Sequence, residues 1–347
     1  DAGGTIAAFC CMDDGSMAVG TESGQVCFLD SAGALSRCVD LEGPVRDIGV
    51  AQGAQTILGV GHGACSLSAF SSAGEALWSV DVVREPCPWP WWELPNPAPV
   101  QVVGGVDEQG PFFALGCGDI QIRCIGAAGA ERWRRRYNEG VPGRICVADV
   151  DGSGSAQIVV GGEVLSDTST CRILDSQGNF IAQLPVEGWT SMLTALVLGQ
   201  VGKRRFIGCG ANRGKNMHLF EFQREEICSD AAGNWKRVWM KRLGGQVRGM
   251  RILASEGGRV LGGTSQGFLL CCDLRGEVLW HKLFERGLEH LVPYGDETLI
   301  CDTGGELRAV SPLGDLRSLA RLPGACTSAT AAGEGVYFAC ARELWRI

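Results

Sequence analysis

A unit of about forty residues recurs eight times along the 347 residues of this chain, and nothing else in the sequence limits its fold as strongly. The plainest copy runs Gly-Pro-Val-Arg-Asp-Ile-Gly-Val (43–50), Thr-Ile-Leu-Gly-Val-Gly-His-Gly (56–63), Cys-Ser-Leu-Ser-Ala-Phe (65–70) and Gly-Glu-Ala-Leu-Trp-Ser-Val-Asp-Val (74–82). Four short apolar runs separated by Gly and polar turn residues read as four strands, and no helical period interrupts them. One such sheet cannot bury both of its faces alone. Eight of them, evenly spaced, predict an all-β, eight-bladed β-propeller with four-stranded antiparallel blades, forming a single domain over residues 1–347.

First strands are expected near 5–12, 45–51, 99–106, 144–150, 193–199, 247–253, 288–294 and 326–332. The eighth unit ends on its third strand at 343–347, so the last blade is expected either to stay three-stranded or to take its outer strand from residues outside this sequence. Gly74, Gly129 and Gly276 each stand four residues before a Trp, at Trp78, Trp133 and Trp280. The glycine suits a tight turn between third and fourth strands, and each indole then fills the widening gap between diverging blades.

Two segments break the repeat. Residues 84–98 (Arg-Glu-Pro-Cys-Pro-Trp-Pro-Trp-Trp-Glu-Leu-Pro-Asn-Pro-Ala) form a lid-like insertion between blades two and three, and 223–234 extend a hairpin in blade five. In a propeller the fourth-to-first and second-to-third loops share one face, here termed the upper face.

The Gly276-Glu277-Val278-Leu279-Trp280 turn resembles the PQQ-like propeller repeat, and Asp149-Val150-Asp151-Gly152-Ser153-Gly154-Ser155-Ala156-Gln157 resembles the FG-GAP-like repeat. The likeness spans the chain as architecture and implies a propeller, without carrying over any quinone-binding residue. The adjacent pairs Cys10-Cys11 and Cys271-Cys272 lie within strands, where neighbouring side chains point to opposite faces, so they are not expected to hold a cofactor.

A net charge of −8 and a pI near 5.2 argue against a nucleic-acid partner. No apolar run is long enough for a membrane-spanning helix. The seventeen cysteines show no CxxC or Cys/His zinc spacing and mostly fall within strands as small hydrophobes. Together with the absence of an Asn-x-Ser/Thr sequon, they point to a reducing, cytoplasmic compartment.

Three groups of residues bear on function. Arg46, Arg144 and Arg248 begin innermost strands, with His290 in a similar place in blade seven, and they are expected around the upper mouth of the central channel. Converging guanidiniums suit carboxylate or phosphate groups, whereas pairing with Asp47 or Glu289 would merely tie blades together. Trp89, Trp91 and Trp92 alternate with Pro in the lid, and Trp189 shares its face; rigid aromatics there suit a partner chain or a sugar ring, or plug the scaffold beneath. Arg213 and Lys215 form a basic turn on the same face, while His62 reads as a turn residue and His218 and His281 as structural.

The third group is Asp149, Asp151 and Ser153, whose spacing offers oxygen ligands to calcium or else builds an Asx-stabilised turn. No other cofactor is expected. The reading leans away from an enzyme, towards a binding scaffold for a protein partner or glycan. The alternative is a lyase on an acidic, uronate-containing polysaccharide, with Arg248 neutralising the carboxylate and His290 or Tyr294 removing the proton.

Overall fold

The computed structural model describes residues 4–63, 65–82, 99–137, 140–162, 171–186, 192–224, 232–255, 257–332 and 335–347. Among these residues all regular structure is strand, in seven four-stranded sheets and one of three strands, each antiparallel and joined in chain order. The sheets form the expected ring of eight blades. Their innermost strands are Ile6–Cys11, Val45–Gln52, Pro99–Asp107, Arg144–Ala148, Leu193–Val201, Val247–Leu253, Leu288–Tyr294 and Ser328–Ala332. Blade eight stops at its third strand, Glu343–Arg346.

Local chemistry sets each blade. In blades one, two, four, six and seven the turn between third and fourth strands opens on Asp or Ser, whose side chain takes backbone amides that the turn would leave unpaired. Asp30 accepts from Ala32 and Ala34 (2.9 and 2.8 Å), Asp175 from Gln177 and Asn179 (2.9 and 2.8 Å), and Asp273 from Arg275 and Glu277 (2.9 and 2.8 Å). The fourth residue of the turn is a glycine at positive φ, such as Gly74 at 77° and Gly276 at 90°.

The cores lie between blades. Cys171, Phe220 and Trp235 pack blade four on blade five, and Phe112, Trp133 and Ile158 pack blade three on blade four. Near the axis the backbones themselves approach: a methyl at Gly104 would sit 1.9 Å from the Val50 carbonyl, so only glycine fits. The predicted indoles bridge as expected. Trp78 Nε1 donates to the Ala127 carbonyl (2.6 Å), Trp133 Nε1 to Ser176 (2.8 Å) and Trp280 Nε1 to Pro312 (2.9 Å), each in the next blade. Cys271 and Cys272 enter two different inter-blade cores, as do Cys10 and Cys11.

Ring closure joins blade eight to blade one through Ile6 N, which donates to the Ala341 carbonyl (2.6 Å), and Thr327 Oγ1, which donates to the Ile6 carbonyl (3.4 Å). No helix is long and apolar enough to cross a membrane among the described residues.

Candidate functional site: the upper mouth of the channel

A bulge near the start of several innermost strands decides which side chains face which way. Val45 pairs with His62 and Asp47 with Gly61, leaving Arg46 as the extra residue; Val247 pairs with Thr264 and Gly249 with Gly263, leaving Arg248. Arg46 and Arg248 are therefore equivalent, as expected. Arg144 and His290 are not. They pair with Gly161 and Cys301, which places them one position further on, level with Asp47 and Gly249. The expectation of a single matched set is corrected by that one-residue shift, which an alternating apolar pattern does not display.

Side chains level with Asp47 reach across to the backbone of the next blade. Asp47 Oδ2 accepts from Val102 N (2.7 Å), Gln101 Oε1 from Ile145 N (2.5 Å), Arg144 Nε donates to the Thr194 carbonyl (3.0 Å) and His290 Nε2 to the Cys326 carbonyl (3.1 Å). Thr194, the extra residue of the blade-five bulge, reaches across as well, its Oγ1 donating to the Val247 carbonyl. These bonds form a belt that holds neighbouring blades in step. Arg144 joins it through a carbonyl instead of the carboxylate the sequence suggested.

Arg46 and Arg248, held out by their bulges, are exposed, and neither guanidinium bonds another described residue. The groups still sense one another. Loss of solvent against the channel wall lowers Arg144 from its ordinary value, with Asp47 opposing the shift and the repulsion of Arg248 adding to it. Burial lifts the Asp47 carboxyl to about 6, offset in part by its bonds to the Val102 and Ile48 amides and by Arg144. Arg144 thus lies within electrostatic reach of both Asp47 and Arg248.

Other predicted residues fall elsewhere. Tyr294 ends the strand Leu288–Tyr294, about 13 Å beyond His290 along it, and lies beneath the Arg317 guanidinium at 5.8 Å. Tyr294 and Arg248 are thus not brought together. Arg213 is exposed on the second-to-third loop of blade five, where Asn212 Oδ1 accepts from its backbone amide (2.5 Å). His62 is buried, not simply a turn residue: Nδ1 donates to the Glu42 carbonyl (3.3 Å), leaving Nε2 to accept from Ser68 Oγ (2.8 Å). His218 is buried against Phe220, while His281 is exposed on its outer strand. Trp89, Trp91, Trp92 and Trp189 lie outside the described residues, as does the whole lid 84–98.

The Asp149–Gln157 loop spends its oxygens on itself. Asp149 accepts from Gly152 N (2.7 Å) and Gly154 N (3.2 Å), Asp151 from Ser153 N (2.9 Å) and Gln157 Nε2 (3.0 Å), and Ser153 Oγ from Gln157 Nε2 (3.1 Å). Arg205 stands 3.7 Å from the Asp149 carboxylate, a cation already beside the oxygens that calcium would need. Among the described residues no cluster of His, Cys, Asp or Glu has the arrangement to hold a metal ion.

The sequence reading missed one charged constellation altogether. Arg123, in the third strand of blade three, is buried with Asp119 (2.5 Å) and also reaches Glu131 (3.3 Å). Its signal is a lone Arg inside the apolar run Gln-Ile-Arg-Cys-Ile-Gly, with an Asp four residues before it.

No protein-family model matches this sequence, and no curated protein matches it. Solved structures do match in fold. BamB from Moraxella catarrhalis aligns over 96% of this chain and 94% of its own at 16% identity, with a TM-score of 0.69. Sqt1 from Saccharomyces cerevisiae aligns over 97% and 93% at 12% identity, with a TM-score of 0.72. Chaetomium thermophilum Sqt1, solved bound to the N-terminus of the ribosomal protein L10, aligns over 99% and 96% at 11% identity, with a TM-score of 0.69. At these identities the likeness shows a shared propeller fold.

Proposed function

We propose that this protein is a non-catalytic scaffold that holds a protein partner on its upper face, an acidic segment of the partner lying on Arg46 and Arg248 at the channel mouth. The observation that carries this reading is the division of labour among the charged groups. Arg144, Asp47 and His290 are occupied by the belt, whereas the two bulge arginines are exposed with no acceptor among the described residues. Guanidiniums bind carboxylates through paired, charge-assisted hydrogen bonds, and a local positive funnel on an acidic protein selects for such a segment. Trp89, Trp91, Trp92 and Trp189, outside the described residues, are the aromatic anchors that the sequence offers for the same partner. The Chaetomium Sqt1 propeller, captured with a protein N-terminus, is a precedent for the mode of use.

The test is recovery of the partner by affinity capture with wild type and with an Arg46→Glu/Arg248→Glu double variant. Both positions are exposed, so the melting temperature stays unchanged while recovery falls about tenfold or more. Trp91→Ala and Trp92→Ala are expected to lower recovery in the same way. Undiminished recovery by the arginine double variant removes the mouth from the binding site.

A further inference from the structure

The third and fourth strands of blade one, Gln25–Leu29 and Leu35–Asp40, carry one cysteine each, and the ladder sets Cys27 directly opposite Cys38. The register decides how closely they approach. Leu41 N donates to the Gly24 carbonyl (2.8 Å), so Gly24 and Leu41 form a hydrogen-bonded pair. Along the alternating ladder Val26 and Val39 form the next such pair, and Cys27 and Cys38 fall at a non-hydrogen-bonded position. Such a position holds facing Cα atoms about 4.5 Å apart, inside the span of about 4.4–6.8 Å that a disulfide bridges. The two thiol sulfurs lie 2.9 Å apart. Blade two makes the same contact with oxygen: Ser68 and Ser79 hold the equivalent pair, their hydroxyls 2.9 Å apart.

The surroundings give the two thiols different tasks. Cys38 is the only exposed cysteine among the described residues. That exposure belongs to the position. Ser79, Arg134 and His281 stand five residues after the turn glycine in blades two, three and six, as Cys38 does in blade one. They too are exposed, each against a preceding blade of four strands. Cys27 is buried, and its thiol donates to Gln25 Oε1 (3.7 Å), whose amide donates to Asp40 Oδ1 (3.2 Å). A sulfur lone pair is thereby left to face Cys38. Burial, with the adjacent Cys38 and then Asp40 adding to it, pushes the Cys27 thiol up to about 12. Other close thiols, Cys171 with Cys209 and Cys301 with Cys326, are buried between blades, out of reach of a dissolved oxidant.

We propose that Cys27 and Cys38 are a redox-modification site, at which hydrogen peroxide closes a reversible cross-strand disulfide. The exposed thiol reacts first. Cys38 sulfur attacks one peroxide oxygen, the O–O bond breaks, and the other oxygen leaves as water, giving a sulfenic acid. Cys27 sulfur then attacks the Cys38 sulfur, and the hydroxyl departs with the Cys27 proton as a second water. Two thiols thus give up two electrons, one peroxide becomes two waters, and a dithiol reductant reverses the bond. Because burial keeps Cys27 protonated, the second step is the slower one and the sulfenic acid is open to trapping in the interval. The bond fastens the outer strand of blade one to its neighbour and spares Cys38 the irreversible step to sulfinic acid. The site stands whether or not the channel mouth binds a partner.

The test treats the reduced full chain with hydrogen peroxide, blocks the remaining thiols and digests with trypsin, which cuts after Arg37 and Arg46. Peptide 38–46 is expected to appear joined through Cys38 to Cys27, two hydrogens lighter than the two peptides together, and to be released by dithiothreitol. Tandem mass spectrometry separates Cys27 from Cys10 and Cys11, which share its tryptic peptide. Cys27→Ser is expected to lose the link, leaving Cys38 to be trapped by dimedone and, without the trap, to go on to sulfinic acid. Cys38→Ser, an exposed change, is expected to lose the link and leave Cys27 a thiol. Melting curves check both variants, and the wild-type result decides without them. Cys38 reaching sulfinic acid in wild type with no link to Cys27 overturns the proposal. So does a link from Cys38 to Cys10, to Cys11 or to Cys38 of a second chain. A Cys38 left untouched at millimolar peroxide overturns it as well.

Discussion

Asp47 accepts a backbone bond from the neighbouring blade and is lifted by burial to about 6, so folding favours its protonated form. A raised carboxyl contributes stability that is full below its unfolded value near 3.8 and is lost as pH rises through about 6. Asp47→Asn keeps an acceptor for Val102 and removes the titration. Its melting temperature is expected to exceed that of wild type at pH 8 and to converge with it at pH 4; parallel profiles for the two proteins would contradict the assignment. Arg123 is the opposite case, a buried charge matched by Asp119. Arg123→Ala leaves that carboxylate uncompensated, and denaturant unfolding is expected to show a loss of about 3–5 kcal/mol. Both groups were hard to read in advance for the same reason. Charge in a sequence implies solvent, and only the partner strand shows that solvent is absent. The channel arginines were legible as a group because they recur at blade starts, but their two orientations were not, since a bulge is fixed only by pairing with the neighbouring strand.

At the scale of the strand, the fold was almost wholly legible. The innermost strand expected at 193–199 is found at Leu193–Val201, and that expected at 247–253 at Val247–Leu253. Turn chemistry explains why: Asp or Ser followed three residues later by Gly fixes where one strand ends and the next begins. Blade five marks the limit. Its lengthened hairpin moves the plugging indole to Trp239, outside the Gly-to-Trp spacing that identified Trp78, Trp133 and Trp280. All four indoles pack against glycine, and Trp78, Trp133 and Trp280 also bond a carbonyl across the blade gap, so they act as inter-blade plugs. Trp133→Ala is expected to cost about 3–5 kcal/mol by thermal or denaturant melting, through a cavity that the rigid glycine turn cannot refill. A cost near that of an exposed aromatic would mean the indole does not join the blades.

The whole molecule is a ring whose belt of inter-blade bonds leaves a few charged groups uncommitted, and under the proposed function those groups select the partner. Repetition alone set the architecture; the proposed site lies at departures from it. The faces can be told apart chemically, because exposed lysines mark both of them. Lys215 sits on a second-to-third loop of the upper face, and Lys203 on the first-to-second hairpin of the opposite face, both in blade five. Amine cross-linking of the assembled complex followed by peptide mapping therefore tests the central claim directly. The account predicts partner cross-links at Lys215 and none at Lys203, lost together with binding in the Arg46→Glu/Arg248→Glu protein. Cross-links at Lys203 that survive the charge reversal would contradict it.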